Sequence, residues 1–123
     1  MHILLIEENS IEIMKMKRAI SFLKLNHTII EAVNGEEALL YLKKHPRLPD
    51  IILLDLNMPK INGIEFLSIL KNDKKLHHIP TIILTTSDNN KDVIACYEIG
   101  VSGYILKPLH NKFVLVCSIH YTP

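Results

Sequence analysis

Side chains that carry a charge or a hydroxyl group stand directly after the apolar segments of this sequence. In chain order they are Glu7 and Glu8, Asp55, Thr85 and Thr86, and Lys107. Three carboxylates packed together repel one another, so in a crevice they take up protons or a cation. Mg²⁺ suits an all-oxygen site that stays open to water and to a phosphate group. These residue types therefore indicate magnesium-dependent chemistry on phosphate.

Asp55 is the candidate nucleophile of this set. It stands between Leu54 and Leu56, where burial of an unpaired charge would cost several kcal/mol, so an acid there needs a reason. A carboxylate beside a metal ion and an ammonium group can attack a phosphoryl group, because the two cations neutralise the charge on the phosphoryl oxygens. In that chemistry Thr85 donates to one phosphoryl oxygen and Lys107 pairs with another.

Some of the acidic residues also have simpler interpretations. Glu7 and Glu8 taken alone are typical of an acidic first turn, which stabilises the N-terminus of a helix. Asp50 opens the same apolar segment that Asp55 closes, and five extended residues span about 17 Å. We therefore expect Asp50 at the opposite end of that segment, outside the site.

The segments that position these residues look like strands buried on both faces. They are short, rich in Ile, Leu and Val, and show little alternation of apolar and polar residues. The predicted strands are His2 to Ile6, Thr28 to Val33, Ile51 to Leu54, Thr81 to Leu84 and Tyr104 to Leu106.

Helical segments separate these strands, and three of them begin with an asparagine N-cap followed three residues later by a glutamate. The pairs are Asn9 with Glu12, Asn34 with Glu37, and Asn62 with Glu65. The predicted inward stripe of the first helix is Ile13, Met16, Ile20 and Leu23, and the Met and Phe residues are expected in the core.

A fourth helix is predicted from about Asn89 to Ile99. Its expected inward residues are Val93, Ile94 and Tyr97, and Gly100 would cap it in the left-handed conformation. Strands and helices thus alternate along one domain of 123 residues. This alternation predicts an α/β fold with a doubly wound parallel sheet, whose working site lies at the carboxyl ends of the strands.

Composition excludes several classes of function. Fourteen Lys and Arg residues against 13 Asp and Glu leave a charge of +1, so no global field attracts nucleic acid or a membrane surface. The seven histidines are scattered without zinc-site spacing.

Cys96 and Cys117 are expected as buried free thiols, which favours the cytoplasm. The N-terminal apolar segment is too short for a signal peptide or a membrane span.

Four motifs together resemble the receiver domain of two-component response regulators. They are Leu4-Leu5-Ile6-Glu7-Glu8-Asn9, Leu53-Leu54-Asp55-Leu56-Asn57-Met58-Pro59 with Gly63 downstream, Leu84-Thr85-Thr86-Ser87, and Gly103-Tyr104-Ile105-Leu106-Lys107-Pro108. The resemblance runs from Ile3 to about Phe113 and implies a five-stranded, flavodoxin-like sheet in the order 2-1-3-4-5. Within the family, the motif Leu84-Thr85-Thr86-Ser87 and the segment Cys96 to Gly100 look similar to the stand-alone regulators that include those of cyanobacterial phytochromes.

The resemblance also implies a role for each residue of the site. Asp55 would be the phosphoryl acceptor, and Glu7, Glu8, Asp55 and the backbone carbonyl of Asn57 would hold Mg²⁺. Thr85 and its neighbour Thr86 would form the switch, Lys107 would contact the phosphate, and Tyr104 would be the aromatic residue that changes rotamer. Glu8 departs from the family pattern, which has Asp there, and its extra methylene displaces the carboxylate by roughly one C–C bond.

The implied function is that of a response regulator. A histidine kinase would donate the phosphoryl group, and a downstream protein, not nucleic acid, would read the altered surface. One alternative is a degenerate receiver that binds partners without phosphorylation. A flavin-binding electron carrier would need a phosphate-binding loop after the first strand, where this sequence has Glu7 and Glu8. A phosphatase with an aspartate nucleophile would need a second acid at the position of Asn57. We therefore expect neither of these two functions.

The C-terminal segment has two apolar faces if it is helical. Phe113, Val116, Cys117 and His120 would share one side, and Val114, Leu115 and Ile119 fall partly outside that stripe. Its β-branched residues leave an extended tail open as an alternative. One alternative is that these side chains only cap the edge of the sheet. Exposed apolar strips mark interfaces, and the resemblance implies pairing through the fourth helix, the fifth strand and the fifth helix, so we expect a homodimer through this C-terminal face.

Overall fold

Five strands alternate with four helices in the described part of the chain. The computed structural model describes residues 1–22, 26–56, 62–85 and 90–106. The strands are β1 (His2–Ile6), β2 (Thr28–Ala32), β3 (Ile51–Asp55), β4 (Thr81–Thr85) and β5 (Gly103–Leu106). The helices are α1 (Ser10–Ser21), α2 (Gly35–Lys44), α3 (Gly63–Lys71) and α4 (Asn90–Ile99). The five predicted strands and the four helices predicted between them are present.

The strands form one parallel sheet in the order β2-β1-β3-β4-β5. Ile6 pairs with Leu54 between β1 and β3, and Asp55 pairs with Leu84 between β3 and β4. The expected doubly wound topology and strand order are confirmed. All strands therefore end at one edge, which we call the carboxyl edge, and begin at the other, which we call the amino edge.

Two apolar cores hold the helices against the sheet. On one face Met16, Ala19 and Ile20 of α1 pack against alternate residues of the strands, such as Leu5 and Leu53. On the other face α2, α3 and α4 pack against the remaining alternate residues, including Leu4 and Leu54. Both faces of the sheet are thus covered, which explains why the strands lack an alternating sequence pattern.

The three asparagine caps form as predicted and orient α1, α2 and α3. Asn34 Oδ1 accepts from Glu37 N at 2.8 Å, and Asn62 Oδ1 accepts from Glu65 N at 2.9 Å. Asn9 Oδ1 accepts from the backbone N–H groups of residues 11 and 12 at 2.9 and 3.1 Å. The N-terminus of each of these helices points toward the carboxyl edge, since each helix follows a strand.

The inward face of α4 differs from the prediction. Ile94 and Tyr97 are 59% and 47% exposed, whereas Cys96 is fully buried and Val93 packs against the core. Two apolar stripes lie side by side on this helix, and its packing against α3 selects the stripe that contains Cys96. Gly100 ends the helix with a φ of +127°, as predicted.

The core assignment of Met and Phe residues was also wrong in part. Met16 and Phe66 are buried, but Met14 of α1 and Phe22, which directly follows α1, are exposed. Because α1 packs against the sheet through one stripe only, its other apolar residues face outward. Leu23, the last residue of the predicted stripe, lies outside the described residues.

Cys96 is a free, buried cysteine, as expected. Burial, and then the charge of Asp92, raises the pKa of its thiol to about 11, so it stays protonated at neutral pH. Cys117 and the predicted dimer segment lie outside the described residues. In the described ranges we find no helix with the length and apolar character that crossing a membrane requires.

Candidate functional site

Glu7 extends β1 by one residue at the carboxyl edge. Its backbone N–H donates to the carbonyl of Ala32 at 2.9 Å, which continues the pairing of β1 with β2. Its side chain is only 1% exposed. The backbone N–H of Asn9 lies 3.4 Å from Glu7 Oε2 and donates to it. Glu7 is therefore a buried carboxylate held beside the N-terminus of α1.

Asp55 is the last residue of β3 and is 3% exposed. Since Ile6 pairs with Leu54, the next residues along the two strands, Glu7 and Asp55, are neighbours. Alternation places both on the face of Leu5 and Leu53, and adjacent strands lie about 4.8 Å apart. The register thus places two buried acidic residues at neighbouring positions of the carboxyl edge.

Glu8 differs from Glu7 in that its side chain is exposed. Across residues 1–22, 26–56, 62–85 and 90–106, no three His, Cys, Asp or Glu side chains are grouped closely enough to hold a metal ion. Within these ranges the buried acids of the predicted site are Glu7 and Asp55, and Glu8 follows Glu7 at the surface. Glu7 is buried because it continues the pairing of β1 with β2.

Thr85 ends β4, next to β3, and is fully buried. It pairs with Leu106 of β5, so it lies at the same edge as the two acids. Tyr104 is 42% exposed, and its ring meets that of Tyr97 edge to face at a centroid distance of 6.3 Å. Tyr104 therefore contributes to the outer surface between β5 and α4.

Three of the predicted site residues lie outside the described residues. They are Asn57, Thr86 and Lys107. The described part of the site consists of the buried pair Glu7 and Asp55, the buried hydroxyl of Thr85, the exposed Glu8 and the outward Tyr104. Asp50, which we expected outside the site, lies at the amino edge, where its Oδ2 accepts a hydrogen bond from the backbone N–H of His2 at 2.7 Å.

Gly63 has a structural role next to the site. The sequence analysis included it in the second motif but assigned it no role. It is the first residue of α3, and its N–H donates to the carbonyl of Leu56 at 3.1 Å. A Cβ atom at this position would lie 2.6 Å from Leu56 Cα. Only glycine therefore lets α3 approach the backbone directly after Asp55.

The donor set of the carboxyl edge fits a hard divalent cation. Two buried carboxylates side by side are stabilised by positive charge, and oxygen ligands are those that Mg²⁺ and Mn²⁺ prefer. Glu7 and Asp55 would hold such an ion, and the remaining positions would be filled by water, by other oxygens of the chain and by a phosphate. A metal ion held there would lie beside a carboxylate that can act as a nucleophile.

Sequence comparison finds relatives along nearly the whole chain. The response regulator receiver domain model matches residues 3–116. The probable methanogenesis regulatory protein FilR2 of Methanothrix harundinacea is 39% identical over 111 residues, which cover 87% of this chain and 72% of that protein. Response regulator Rcp1 of Synechocystis sp. is 37% identical over 116 residues, which cover 89% of this chain and 78% of Rcp1.

Solved structures agree with this assignment. The bacteriophytochrome response regulator RtBRR has a TM-score of 0.90 and 32% identity, covering 99% of this chain and 78% of RtBRR. The Mn²⁺-bound form of Rcp1 has a TM-score of 0.81 and 33% identity, covering 98% of this chain and 88% of that structure. The similarity to phytochrome-associated regulators is thus confirmed. Because the family model covers almost all of the sequence and the strand order is the one the resemblance implied, this chain belongs to the response regulator receiver domain family.

Proposed function

We propose that this receiver domain accepts a phosphoryl group from a histidine kinase on Asp55, with Mg²⁺ as the cofactor, and passes the signal on by contacts with a downstream protein. The observation that carries the proposal is the pair of buried carboxylates at the carboxyl edge, Glu7 and Asp55. Two neighbouring buried carboxylates are stabilised further when a cation binds between them. The receiver family is a signalling module of two-component systems and not a conventional enzyme.

The transfer needs no other reactant than the phosphorylated kinase. A carboxylate oxygen of Asp55 forms a bond to phosphorus while the bond between phosphorus and the kinase histidine nitrogen breaks, and that electron pair returns to the imidazole ring. Mg²⁺, when bound, supplies positive charge to the phosphoryl oxygens. Glu7 and Asp55 would hold the metal together with the backbone carbonyl of Asn57, and the exposed Glu8 would reach it through water.

The switch depends on residues around the end of β4. Thr85 is buried at the end of β4, directly after Leu84, which pairs with Asp55, and its hydroxyl would follow a new phosphoryl group. Thr86 and Lys107 complete the phosphate contacts. Tyr104 already touches Tyr97 on the outer surface. A shift of Thr85 therefore changes the surface between β5 and α4, which the downstream protein reads.

A small acyl-phosphate donor tests the acceptor assignment. The protein is incubated with the donor and Mg²⁺, and the modified residue is mapped by mass spectrometry. We expect one phosphoryl group on Asp55 that requires Mg²⁺, none on Asp55→Asn, and full labelling of the matched variant Asp50→Asn. Equal labelling of Asp55→Asn and wild type would refute the assignment. An unlabelled wild type would instead support a degenerate receiver that acts by binding alone.

We also propose a homodimer through the C-terminal face. Large apolar side chains of α4 and β5 are exposed on this side, including Ile94, Tyr97 and Leu106. Such side chains gain free energy when a second copy covers them. Light scattering coupled to size exclusion, with and without phosphorylation and over a range of concentrations, tests this. A monomeric mass under every condition would exclude the dimer.

The cytoplasm is the compartment that we propose for this domain. The support is the buried free thiol of Cys96, since free cysteines are usual where the thiol pool is reduced. A histidine kinase phosphorylates its regulator in the same compartment. Localisation of a tagged full-length protein by fluorescence microscopy tests this assignment.

A further inference from the structure

A cleft lies at the amino edge, whereas Asp55 lies at the carboxyl edge, at the other end of the strands. It has a volume of about 710 Å³ and is formed by the end of α2 with the following loop, and by the turn after α3. Both segments precede a strand, β3 and β4 respectively, so they stand at the beginnings of the strands. A strand of five residues separates the two edges by about 17 Å. The cleft is therefore independent of the acidic pair.

Positive charge is concentrated around this cleft. Residues 43–50 and 71–78 contain six of the 14 Lys and Arg residues but only two of the 13 Asp and Glu residues. These two segments thus carry a net charge of +4, while the rest of the chain carries −3. The nearly neutral protein is therefore strongly polarised, with its basic end at the amino edge.

The lysines that line the cleft are available to a ligand. Lys43, Lys74 and Lys75 are exposed, and none of them has an acidic partner among the described residues. The two acids nearby are engaged with backbone instead: Asp50 accepts from the N–H of residue 2, and Asp73 Oδ1 accepts from the N–H of residue 75 at 2.8 Å. Asp73 also lines the cleft, so three lysine charges face one aspartate charge and the lining carries a net charge of +2.

The walls of the cleft are held in place by the fold. Lys71 Nζ donates to the carbonyls of His77 and Ile79, both at 3.0 Å, and this fixes the turn after α3. On the other wall the ring of His45 stacks on Tyr41 with a centroid distance of 4.0 Å. The floor contains Leu42 and Leu76, which belong to the apolar core. The cleft is thus preformed, with a basic rim and an apolar floor.

We propose that this cleft binds a small organic molecule that carries several phosphate groups. Its volume falls in the range of about 300–1,000 Å³ that is usual for small-molecule sites. Lysines bind phosphate as point charges, whereas carboxylates are better matched by the planar fork of arginine. Lys43, Lys74 and Lys75 would neutralise the phosphates, and Leu42 with Leu76 would contact the organic part.

Calorimetric titration with ATP as the probe tests the proposal on the intact chain. EDTA is present, so that no metal recruits phosphate to Glu7 and Asp55. We expect saturable binding of one ATP per chain, with NMR amide shifts confined to residues 42–48 and 72–76. We also expect weaker binding of tripolyphosphate, which has the phosphates but no organic part to pack on the floor.

Two double variants that remove the same amount of positive charge distinguish a specific site from general electrostatic attraction. Lys43→Gln with Lys74→Gln should weaken ATP binding by about tenfold, since each exposed charge contributes on the order of threefold. The matched control, Lys15→Gln with Lys91→Gln, removes the same charge elsewhere and should change binding by less than about twofold. Thermal unfolding verifies that each variant is folded. If the double variant is unfolded, Lys75→Gln alone should weaken binding by about threefold.

Several outcomes would overturn the proposal. They are the absence of saturable ATP binding, equal weakening in both pairs of variants, and amide shifts located at Glu7 and Asp55. If tripolyphosphate binds as tightly as ATP, the organic part of the ligand does not contribute to binding. A poly-glutamate peptide that binds more tightly than ATP would exclude phosphate as the recognised group. None of these results depends on whether Asp55 accepts a phosphoryl group.

Discussion

Strand β3 has an aspartate at each end, and the two have opposite environments. Asp50 precedes the strand at the amino edge, is exposed, and accepts a hydrogen bond from the backbone of His2. Asp55 ends the strand at the carboxyl edge, is buried, and has the buried Glu7 as its neighbour. An aspartate is thus an exposed hydrogen-bond acceptor at one edge and a candidate functional residue at the other.

The direction of the helices explains this difference. Each helix follows a strand, so the N-termini of α1 and α3 point to the carboxyl edge, and the C-termini of α2 and α3 point to the amino edge. The positive ends of helices favour carboxylates, and the negative ends favour lysines. Accordingly α2 ends in Lys43 and Lys44, and α3 ends in Lys71. The charge separation between the edges therefore follows from the parallel topology.

Adding one methyl group at each edge should show how tightly the carboxyl edge is packed. Gly63→Ala would place its Cβ 2.6 Å from Leu56 Cα, so the backbone after Asp55 must shift. We expect a loss of about 2 kcal/mol in the free energy of unfolding, measured with urea. Gly103→Ala at the amino edge meets no atom within 4 Å and should change it by less than about 0.5 kcal/mol. Similar losses in both variants would contradict this comparison.

Mg²⁺ should stabilise the protein through the carboxyl edge only. At a Mg²⁺ concentration ten times its dissociation constant, the free energy of unfolding should rise by about 1.4 kcal/mol. Glu7→Gln should abolish this increment, because it removes one of two buried carboxylates, and Asp50→Asn should retain it. Urea unfolding with and without Mg²⁺ measures the effect. A full increment in Glu7→Gln would remove this residue from the metal site.

The two aspartates should have opposite effects on stability without metal. Asp55→Asn removes the repulsion between two buried carboxylates, so the free energy of unfolding should rise by about 1 kcal/mol. Asp50→Asn weakens the charged acceptor of the His2 N–H, so it should fall by about 0.5 kcal/mol, a small value because the residue is exposed. Changes of the same sign, measured by urea unfolding in EDTA, would show that the environments are alike.

The smallest effect concerns the length of the Glu8 side chain. Glu8→Asp should tighten Mg²⁺ binding by about threefold, since a shorter arm suits the strict octahedral geometry of Mg²⁺ better. The matched change Glu36→Asp, in the exposed first turn of α2, should leave the affinity unchanged. Titration of Mg²⁺ followed by calorimetry measures both. An unaltered affinity in Glu8→Asp would mean that its carboxylate does not reach the metal.

Local signals in the sequence predicted most of the fold. The asparagine caps at positions 9, 34 and 62 and the glycine after α4 act within one helical turn, so they are readable without tertiary structure. The apolar segments and their order predicted the parallel sheet. Placement of Asp50 and Asp55 at opposite edges followed from the length of β3 alone. These features depend on neighbours in the chain and therefore on sequence directly.

Tertiary packing decided which of two similar residues is buried. Glu7 and Glu8 are adjacent in sequence, yet only Glu7 continues β1 by pairing with Ala32. Cys96, and not Tyr97, is buried because α4 packs against α3 through that stripe. The sequence alone determined the alternation of elements and the residues at the strand ends. The choice between neighbouring side chains came from contacts with segments distant in the chain, which no local pattern encodes.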